Sequence, residues 1–412
     1  MSAFRVTRAY SRYGMKTLFA RCRSALWFLV ALVFLLLPKR APQGGEKKIL
    51  IIQMAKLGDM VCTTPMFRAF KQGYPKGHLF VMGNSVNREV LEGNPYVDEY
   101  LVSPGSVRAT AGMLYAGHVD AVCITGPGFE QLVSAIIARV PLIVIPRIRN
   151  GKSPYESLWY KILSRFVCVR DHRMETYAPR EYLKLLEPLG IMTSDTKKEV
   201  YFSETAKIKP TSLLNKSARA TQVRYIGILP GAGNEIKSWA PEKFGALMNM
   251  ITKEYEDTVL VLLGAGKDRE RAEVIESTIH SSVQMVDCIG KLSIDELKAC
   301  ISMLDMVIGA DTGPQYIAEA LNIPTIDIVG PCDEREQPPM GDIHMIVKVD
   351  RVKPELYVMN ARSYNVVEAK RQVESITPVM VYEKFMELLQ RISELSHKEK
   401  SFIFLKSSRG EA

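Results

Sequence analysis

The chain has 412 residues, 47% of them hydrophobic and 24% charged, which are the proportions of a folded globular protein and exclude wholesale disorder or collagen-like repetition. The formal charge is +9, yet residues 1–48 carry ten Lys/Arg and one acid, Glu46, and the other 364 residues balance at 44 of each sign. A basic, nucleic-acid-binding body is therefore excluded, and the positive charge belongs to an N-terminal segment.

That segment contains an unbroken apolar run of 13 residues, Ala25–Leu37, with Arg21 and Arg23 before it and Pro38, Lys39 and Arg40 after it. A helix of that length spans roughly 20 Å, short of the ~30 Å hydrocarbon core. Basic residues on both flanks oppose translocation, and no small-x-small cleavage site follows. The run therefore reads as a membrane-seated helix, re-entrant or interfacial, ahead of a short transmembrane helix, a signal peptide or a buried helix. Arg5, Arg8, Arg12 and Lys16 share one helical face, either solvated or set against lipid headgroups. Ala41–Gly45 is a linker by composition, so residues 1–45 form a basic, apolar, membrane-associated segment expected to be removable without unfolding the rest.

Beyond the linker, Lys48–Ile52 is fit for a buried parallel strand, and a helical pattern follows at Pro65–Gln72. Further strands are predicted at His78–Met82, Ala121–Thr125 and Pro141–Ile145, with a helix at Glu130–Arg139. Residues 152–195 read as helical and rich in aromatics. A second α/β series has strands at Tyr225–Leu229, Val259–Leu263, Met306–Ile308 and Thr325–Val329, and helices at Pro241–Glu254 and Ile294–Met303. Ser375-Ile-Thr-Pro378 opens a last helix to about Ser396, and the polar tail from Lys398 is expected to fray. Strands alternating with helices imply two Rossmann-like α/β domains facing a cleft, over residues 46–205 and 206–396, with a tail at 397–412. Seven cysteines, with no C-x-x-C pair and no His at metal-finger spacing, read as reduced thiols in a cytosolic compartment.

Four loops sit where ligand-binding loops sit, after strands. In the first, running from Ile51 to Pro65, Asp59 beside Gly58 is either a helix cap or a general base projecting into the cleft. Lys56, three residues earlier, either meets an acidic group on an acceptor or is solvated. In the second, Leu229–Trp239, glycines at 231 and 233 free backbone N–H groups for an anion, and Lys237 adds a point charge suited to phosphate. No Walker A pattern is present. The third, Leu262–Asp268, is a glycine turn leading into a helix. The fourth, Gly309–Tyr316, opens a helix behind Asp311, Thr312 and Gly313, where a cap and an anion site can share one turn.

Taken as an ordered set, the segments IIQMAKLGDMVCTTPMFRAF, GNPYVDEYLV, ILPGAGNEIKSWAPEKF, VLLGAGKDRE, IGKLSIDELKACI and VIGADTGPQYIAEALNIPTIDIVGP resemble glycosyltransferase family 9, the ADP-heptose:lipopolysaccharide heptosyltransferase family. The resemblance runs from about Lys47 to Leu395. It implies a GT-B fold, with acceptor on the N-terminal half and nucleotide-sugar on the C-terminal half. It implies Asp59 as catalytic base and Lys237 as the lysine that neutralises donor phosphate. Donor-side positions are Gly231, Ala232, Gly233, Gly264, Glu270, Lys291, Leu292, Asp311, Thr312, Gly313 and Tyr316; acceptor-side positions are Lys56, Gly58 and Thr63. The family typically has His where this chain has Tyr316, and a small hydroxyl residue where it has Ala232 and Gly233. The expected activity is metal-independent, inverting sugar transfer from a nucleoside diphosphate, ADP-heptose foremost, to a lipid-linked or core-oligosaccharide acceptor at the cytoplasmic face of the bacterial inner membrane, with no cofactor; the rival readings are a GT-B-fold nucleotide-sugar epimerase or hydrolase and a catalytically silent, membrane-bound sugar-binding protein.

Overall fold

The computed structural model describes residues 21–41, 45–215 and 223–407. The basic positions Arg5, Arg8, Arg12 and Lys16, most of the 41–45 linker and the last five residues lie outside the described residues.

Helix α1, described over 21–35, precedes the N-terminal sheet. That sheet is built from β1 (Lys48–Ile52), β2 (His78–Gly83), β3 (Glu99–Val102), β4 (Ala121–Ile124), β5 (Leu142–Ile148) and β6 (Cys168–His172). Its helices are α2 (Leu57–Gly73), α3 (Ser85–Val90), α4 (Val107–Ala116), α5 (Phe129–Ile137), α6 (Leu158–Leu163) and α7 (Ala178–Leu183). The C-terminal half holds α8 (Ile208–Asn215), β7 (Arg224–Leu229), α9 (Pro241–Glu254), β8 (Thr258–Leu262), α10 (Arg269–Thr278), β9 (Gln284–Asp287) and α11 (Ile294–Ile301). It continues through β10 (Met306–Ala310), α12 (Gly313–Ala320), β11 (Thr325–Ile328), β12 (His344–Val347), α13 (Val366–Glu374) and α14 (Pro378–Ser407).

Both sheets are parallel and share one winding. The first runs β3-β2-β1-β4-β5-β6 and the second β12-β11-β10-β7-β8-β9, the same order read from the other edge. Each order reverses direction beside its first strand: Leu50 of β1 pairs with Phe80 on one side and Val122 on the other. Loops leaving the carboxyl ends of neighbouring strands diverge there and open a crevice. The central strands are buried on both faces, which is why KILII, AVCI and TVLVL are continuous apolar runs rather than alternating ones.

Helix α2 begins at Leu57, eight residues before the predicted start, with Pro65 in its interior. Pro65 has no N–H for the Val61 carbonyl, and the Thr64 hydroxyl donates to that carbonyl at 2.8 Å instead. The stretch predicted as helical over 152–195 contains a strand, β6, between α6 and α7. Helix α14 continues to Ser407, past the expected end near Ser396.

The N-terminal apolar run is not separate from the body. Phe28 is 8% exposed and Ala31 fully buried against the helices of the first sheet, and the Phe28 and Trp159 rings lie 4.5 Å apart. Arg40 donates to the carbonyls of Leu114, Tyr115 and Val119, and Arg23 pairs with Glu130 at 2.8 Å. Removal of residues 1–45 would open this part of the core, contrary to the expectation from composition. The opposite face of α1 presents Leu26, Leu29 and Val33 to solvent, and Leu36 follows in the exposed turn after it. No helix among the described residues is long and apolar enough to cross a membrane.

Candidate active site

A cleft of about 530 Å³ lies between the two halves and is lined by both. The N-terminal half contributes Gln53, Lys56 and Asp59 from the end of β1 and the start of α2; the C-terminal half contributes Gly233, Lys237, Asp311 and Gln337.

Asp59 occupies the third position of α2. Its Oδ2 accepts the Lys56 N–H at 3.1 Å, closing the helix start, and its Oδ1 accepts the Gln337 amide at 2.8 Å across the cleft. Capping and cleft-facing roles thus coexist in one carboxylate. Burial pushes its carboxyl above the ordinary range, opposed by the Gln337 and Lys56 hydrogen bonds and by the Lys237 charge. Thr63 is fully buried, donating to the Asp59 carbonyl at 2.7 Å and accepting from Gln53 at 3.0 Å, so this acceptor-side position is spent inside the fold.

Lys237 is carried on a short turn, Glu235–Lys237, that Asn234 caps. Two residues on, Trp239 is fully buried and donates to the Ile376 carbonyl at 2.9 Å, which fixes the turn to the C-terminal core. The Lys237 ammonium lies 2.7 Å from Asp311 Oδ2, while the Tyr316 hydroxyl donates to Asp311 Oδ1. Burial alone would raise the Asp311 carboxyl; the Lys237 charge and hydrogen bonds from Cys332, Lys237 and Tyr316 hold it below the usual range. Burial would likewise depress Lys237, and the Asp311 charge raises it instead. Asp311 therefore positions Lys237, and neither of its oxygens is free.

Two further lysines converge on the loop between β7 and this turn. Lys56 donates to the Gly233 carbonyl from the opposite half, and Lys267 donates to the Ala232 carbonyl at 3.0 Å. Lys56 titrates below its ordinary range through burial and the nearby charges of Lys237 and Lys267. The sequence expectation set Lys56 toward the acceptor or solvent; its ammonium reaches the Gly231–Gly233 loop of the C-terminal half. Arg271 braces the same loop, donating to the Pro230 carbonyl at 2.7 Å and pairing with Glu235 at 2.9 Å. Gly231 and Gly264 admit the Asp268 carboxylate between their loops: an added Cβ would lie 2.1 Å from Asp268 Oδ1 at the first and 2.9 Å from Oδ2 at the second.

The D-T-G turn meets the other half directly. A Cβ on Gly313 would lie 2.3 Å from the Leu57 side chain, and one on Gly58 would lie 2.5 Å from the Tyr316 ring. The starts of α2 and α12 abut there, with Tyr316 2% exposed and Thr312 part-exposed beside it. Tyr316 thus seals the contact between halves rather than lining the cleft. Glu270 is exposed outside the cleft. Lys291 pairs with Asp287 at 2.7 Å, and Leu292 packs on the core; neither lines the cleft.

A family model described as glycosyltransferase family 9 (heptosyltransferase) matches residues 131–362. The chain belongs to glycosyltransferase family 9. It is 26% identical over 365 residues to a lipooligosaccharide heptosyltransferase 2 from Haemophilus influenzae, covering 83% of this chain and 99% of that protein. Among solved structures it is similar to a family 9 glycosyltransferase from Veillonella parvula, with a TM-score of 0.68 and 18% identity, covering 85% of this chain and 99% of that one. It is also similar to the E. coli ADP-heptose lps heptosyltransferase II, with a TM-score of 0.65 and 20% identity, covering 84% and 99%. The fold and the enzyme class are those that the ordered motifs imply. For this family 9 glycosyltransferase, sequence reasoning missed Gln337 and the role of Lys267. Lys267 stood in a quoted motif beside Gly266, whereas Gln337 lies in a stretch with no periodicity and no motif.

Proposed function

We propose that the enzyme transfers heptose from ADP-heptose to a lipopolysaccharide-type acceptor, with inversion at the anomeric carbon and without a metal ion. The observation that carries this reading is the placement of one carboxylate, Asp59, and one ammonium, Lys237, on opposite walls of a single cleft. Asp59 takes the proton of an acceptor hydroxyl as its oxygen attacks the anomeric carbon; the raised carboxyl moves the base toward operating pH. The C–O bond to the nucleoside diphosphate breaks on the opposite face. Charge growing on the leaving diphosphate is met by Lys237, with Lys56 and Lys267 beside the glycine loop and the N–H groups of Gly231–Gly233. Three ammonium groups supply the positive charge that a divalent ion supplies elsewhere. Thr312 and Gly313 contribute less than their sequence suggests, because Leu57 and Gly58 crowd that helix start. The reading is supported by the family and by the names of its relatives, which are heptosyltransferases.

The acceptor is brought to the cleft along a membrane surface, at the cytoplasmic face of the bacterial inner membrane. The exposed stripe of α1, together with exposed Leu158 and Phe166 on the neighbouring segment, offers apolar contact, and Arg21, Arg23 and Lys39 offer cations to anionic headgroups. Arg23 holds Glu130, and the next residue, Gln131, lines the cleft, so the stripe adjoins its acceptor side.

Melting the protein with ADP-, GDP-, UDP- and dTDP-linked sugars tests the donor: stabilisation by the ADP-linked sugar above the others is expected. Stabilisation by another nucleotide class alone would overturn the ADP assignment. Turnover unchanged by EDTA is expected, and loss restored by a divalent ion would overturn metal independence.

A further inference from the structure

The segment between β11 and β12 crosses from the C-terminal half onto the N-terminal half at successive residues. The Glu336 carboxylate accepts the Glu175 N–H at 2.8 Å, and the Glu336 carbonyl accepts the Ala178 N–H at 2.7 Å. At Gln337 the carbonyl accepts from the Lys198 ammonium at 3.1 Å, and that fully enclosed ammonium is also paired with Glu319 of α12. Lys198 further lies over the rings of Tyr177 and Tyr316, at 5.2 and 4.9 Å. These contacts pin the strap from both halves. From it the Gln337 side chain enters the cleft and donates to Asp59 Oδ1 at 2.8 Å.

The two oxygens of Asp59 are held differently. Oδ2 is tied to the start of its own helix, a contact that exists whenever α2 is folded. Oδ1 is tied to a residue of the other half, a contact that exists only while the strap bridges the halves. We infer that Gln337 is a positioning residue for the base: its amide fixes the Asp59 carboxylate in the cleft, and couples that orientation to the joining of the two halves. This rests on Asp59 being the base, as proposed above. The charged and titratable groups facing Asp59 are Lys56, Cys62 and Tyr182 from the N-terminal half and Lys237 and Asp311 from the C-terminal half. Two neutral donors offset burial of the carboxylate: the Lys56 N–H from its own helix start, and the Gln337 amide, the side-chain donor that comes from the other half.

Gln337→Met retains the length and volume of the side chain and removes the donor; Gln337→Glu retains the shape and sets a second carboxyl beside Asp59. The acidic limb of kcat/KM against pH is expected to move up by about one to two pH units in the Met variant. It should move further in the Glu variant, where two adjacent carboxyls share a proton. kcat should fall about 10–100-fold through lost orientation, with KM for the nucleotide sugar unchanged. A residue that only holds the halves together would lower the melting temperature and leave the limb in place. The same shift is read without turnover from the carboxyl ¹³C resonance of Asp59 against pH, assigned with Asp59→Asn. Coincident titrations in wild type and both variants would overturn the role of Gln337 while an inactive Asp59→Asn left the base in place. Near-normal turnover by Asp59→Asn would overturn the base assignment and this inference together.

Discussion

Lys237→Ala removes the ammonium that sits 2.7 Å from a carboxylate only 4% exposed to solvent. Asp311 keeps the Tyr316 hydroxyl and the Cys332 thiol but loses the ammonium paired with it, so a charge is left buried and unpaired. Breaking such a pair from one side costs about 3–5 kcal/mol. The partly exposed Lys237 side chain, at 19%, argues for the lower end, about 3 kcal/mol. For a half of this size that is a fall of roughly 6–12 °C in melting temperature. The sign with pH follows from Asp311. In the wild type its folded carboxyl titrates below the unfolded value, so it contributes stability that is present above the unfolded value and lost as pH falls. Without Lys237 the largest offset to burial is lost and the Tyr316 and Cys332 hydrogen bonds are left to oppose it alone, so the folded carboxyl is expected to rise above the unfolded value and the same group to oppose folding as pH increases. The gap between variant and wild type should therefore widen from pH 5 to pH 8.5. Lys237→Ala/Asp311→Asn should recover most of the lost stability. ADP affinity should fall about 10–150-fold in both variants, because the contact to diphosphate is gone in each. The assay is thermal melting across pH with ADP titration by calorimetry. A gap that is constant with pH, or a double variant no more stable than the single one, would refute the buried-pair reasoning; unchanged ADP affinity would refute the phosphate role.

Deleting residues 1–41 should destabilise the N-terminal half, since truncating a buried phenylalanine such as Phe28 alone costs about 3–5 kcal/mol; a truncated protein that melts like the full chain would contradict this. Leu29→Glu and Val33→Glu, on the exposed face of α1, should leave the melting temperature unchanged and abolish sedimentation with anionic vesicles, and retained sedimentation would remove the stripe from the membrane contact. Burial lowers His172 and His344 from 6.5 to about 4, so each takes up a proton more readily when unfolded. Each should cost about 3 kcal/mol of stability as pH falls from 6.5 to about 4, and His344→Gln should flatten that decline; an unaltered profile would place the loss elsewhere.

Which parts of the fold could be read from the residues depends on burial. The eight strands predicted all lie inside the sheets, where both faces are covered and the runs are continuously apolar, as in Lys48–Ile52 and Val259–Leu263. The four strands that went unread, β3, β6, β9 and β12, are the four sheet edges. Their sequences, EYLV, CVRDH, QMVD and HMIV, each carry polar residues and are partly exposed, so their apolar runs are three residues or fewer and stand out less from the flanking chain. At the site, Asp59, Lys237 and Asp311 stand out in the sequence because each lies close to a glycine shortly after a strand, and the resemblance to the family, not the local pattern, implies their roles. What no local pattern encodes is contact between halves: the reach of Lys56 to Gly233, the burial of Tyr316 on Gly58, and the arrival of Gln337 at Asp59. The apolar run of α1 was read for its length and flanks. Its division into a docked face, through Phe28 and Ala31, and an exposed face, through Leu29 and Val33, depends on a neighbouring surface that the run itself does not contain.

Incubation of the full chain with ADP-heptose and a lipopolysaccharide-core acceptor, followed by NMR of the newly formed glycosidic linkage, tests the proposed chemistry most directly. Stoichiometric ADP release with an anomeric configuration opposite to that of the donor is expected, because Asp59 and the lysine-lined diphosphate loop face each other across one cleft and support a single displacement. Retention of configuration, or ADP release with no sugar on the acceptor, would contradict it.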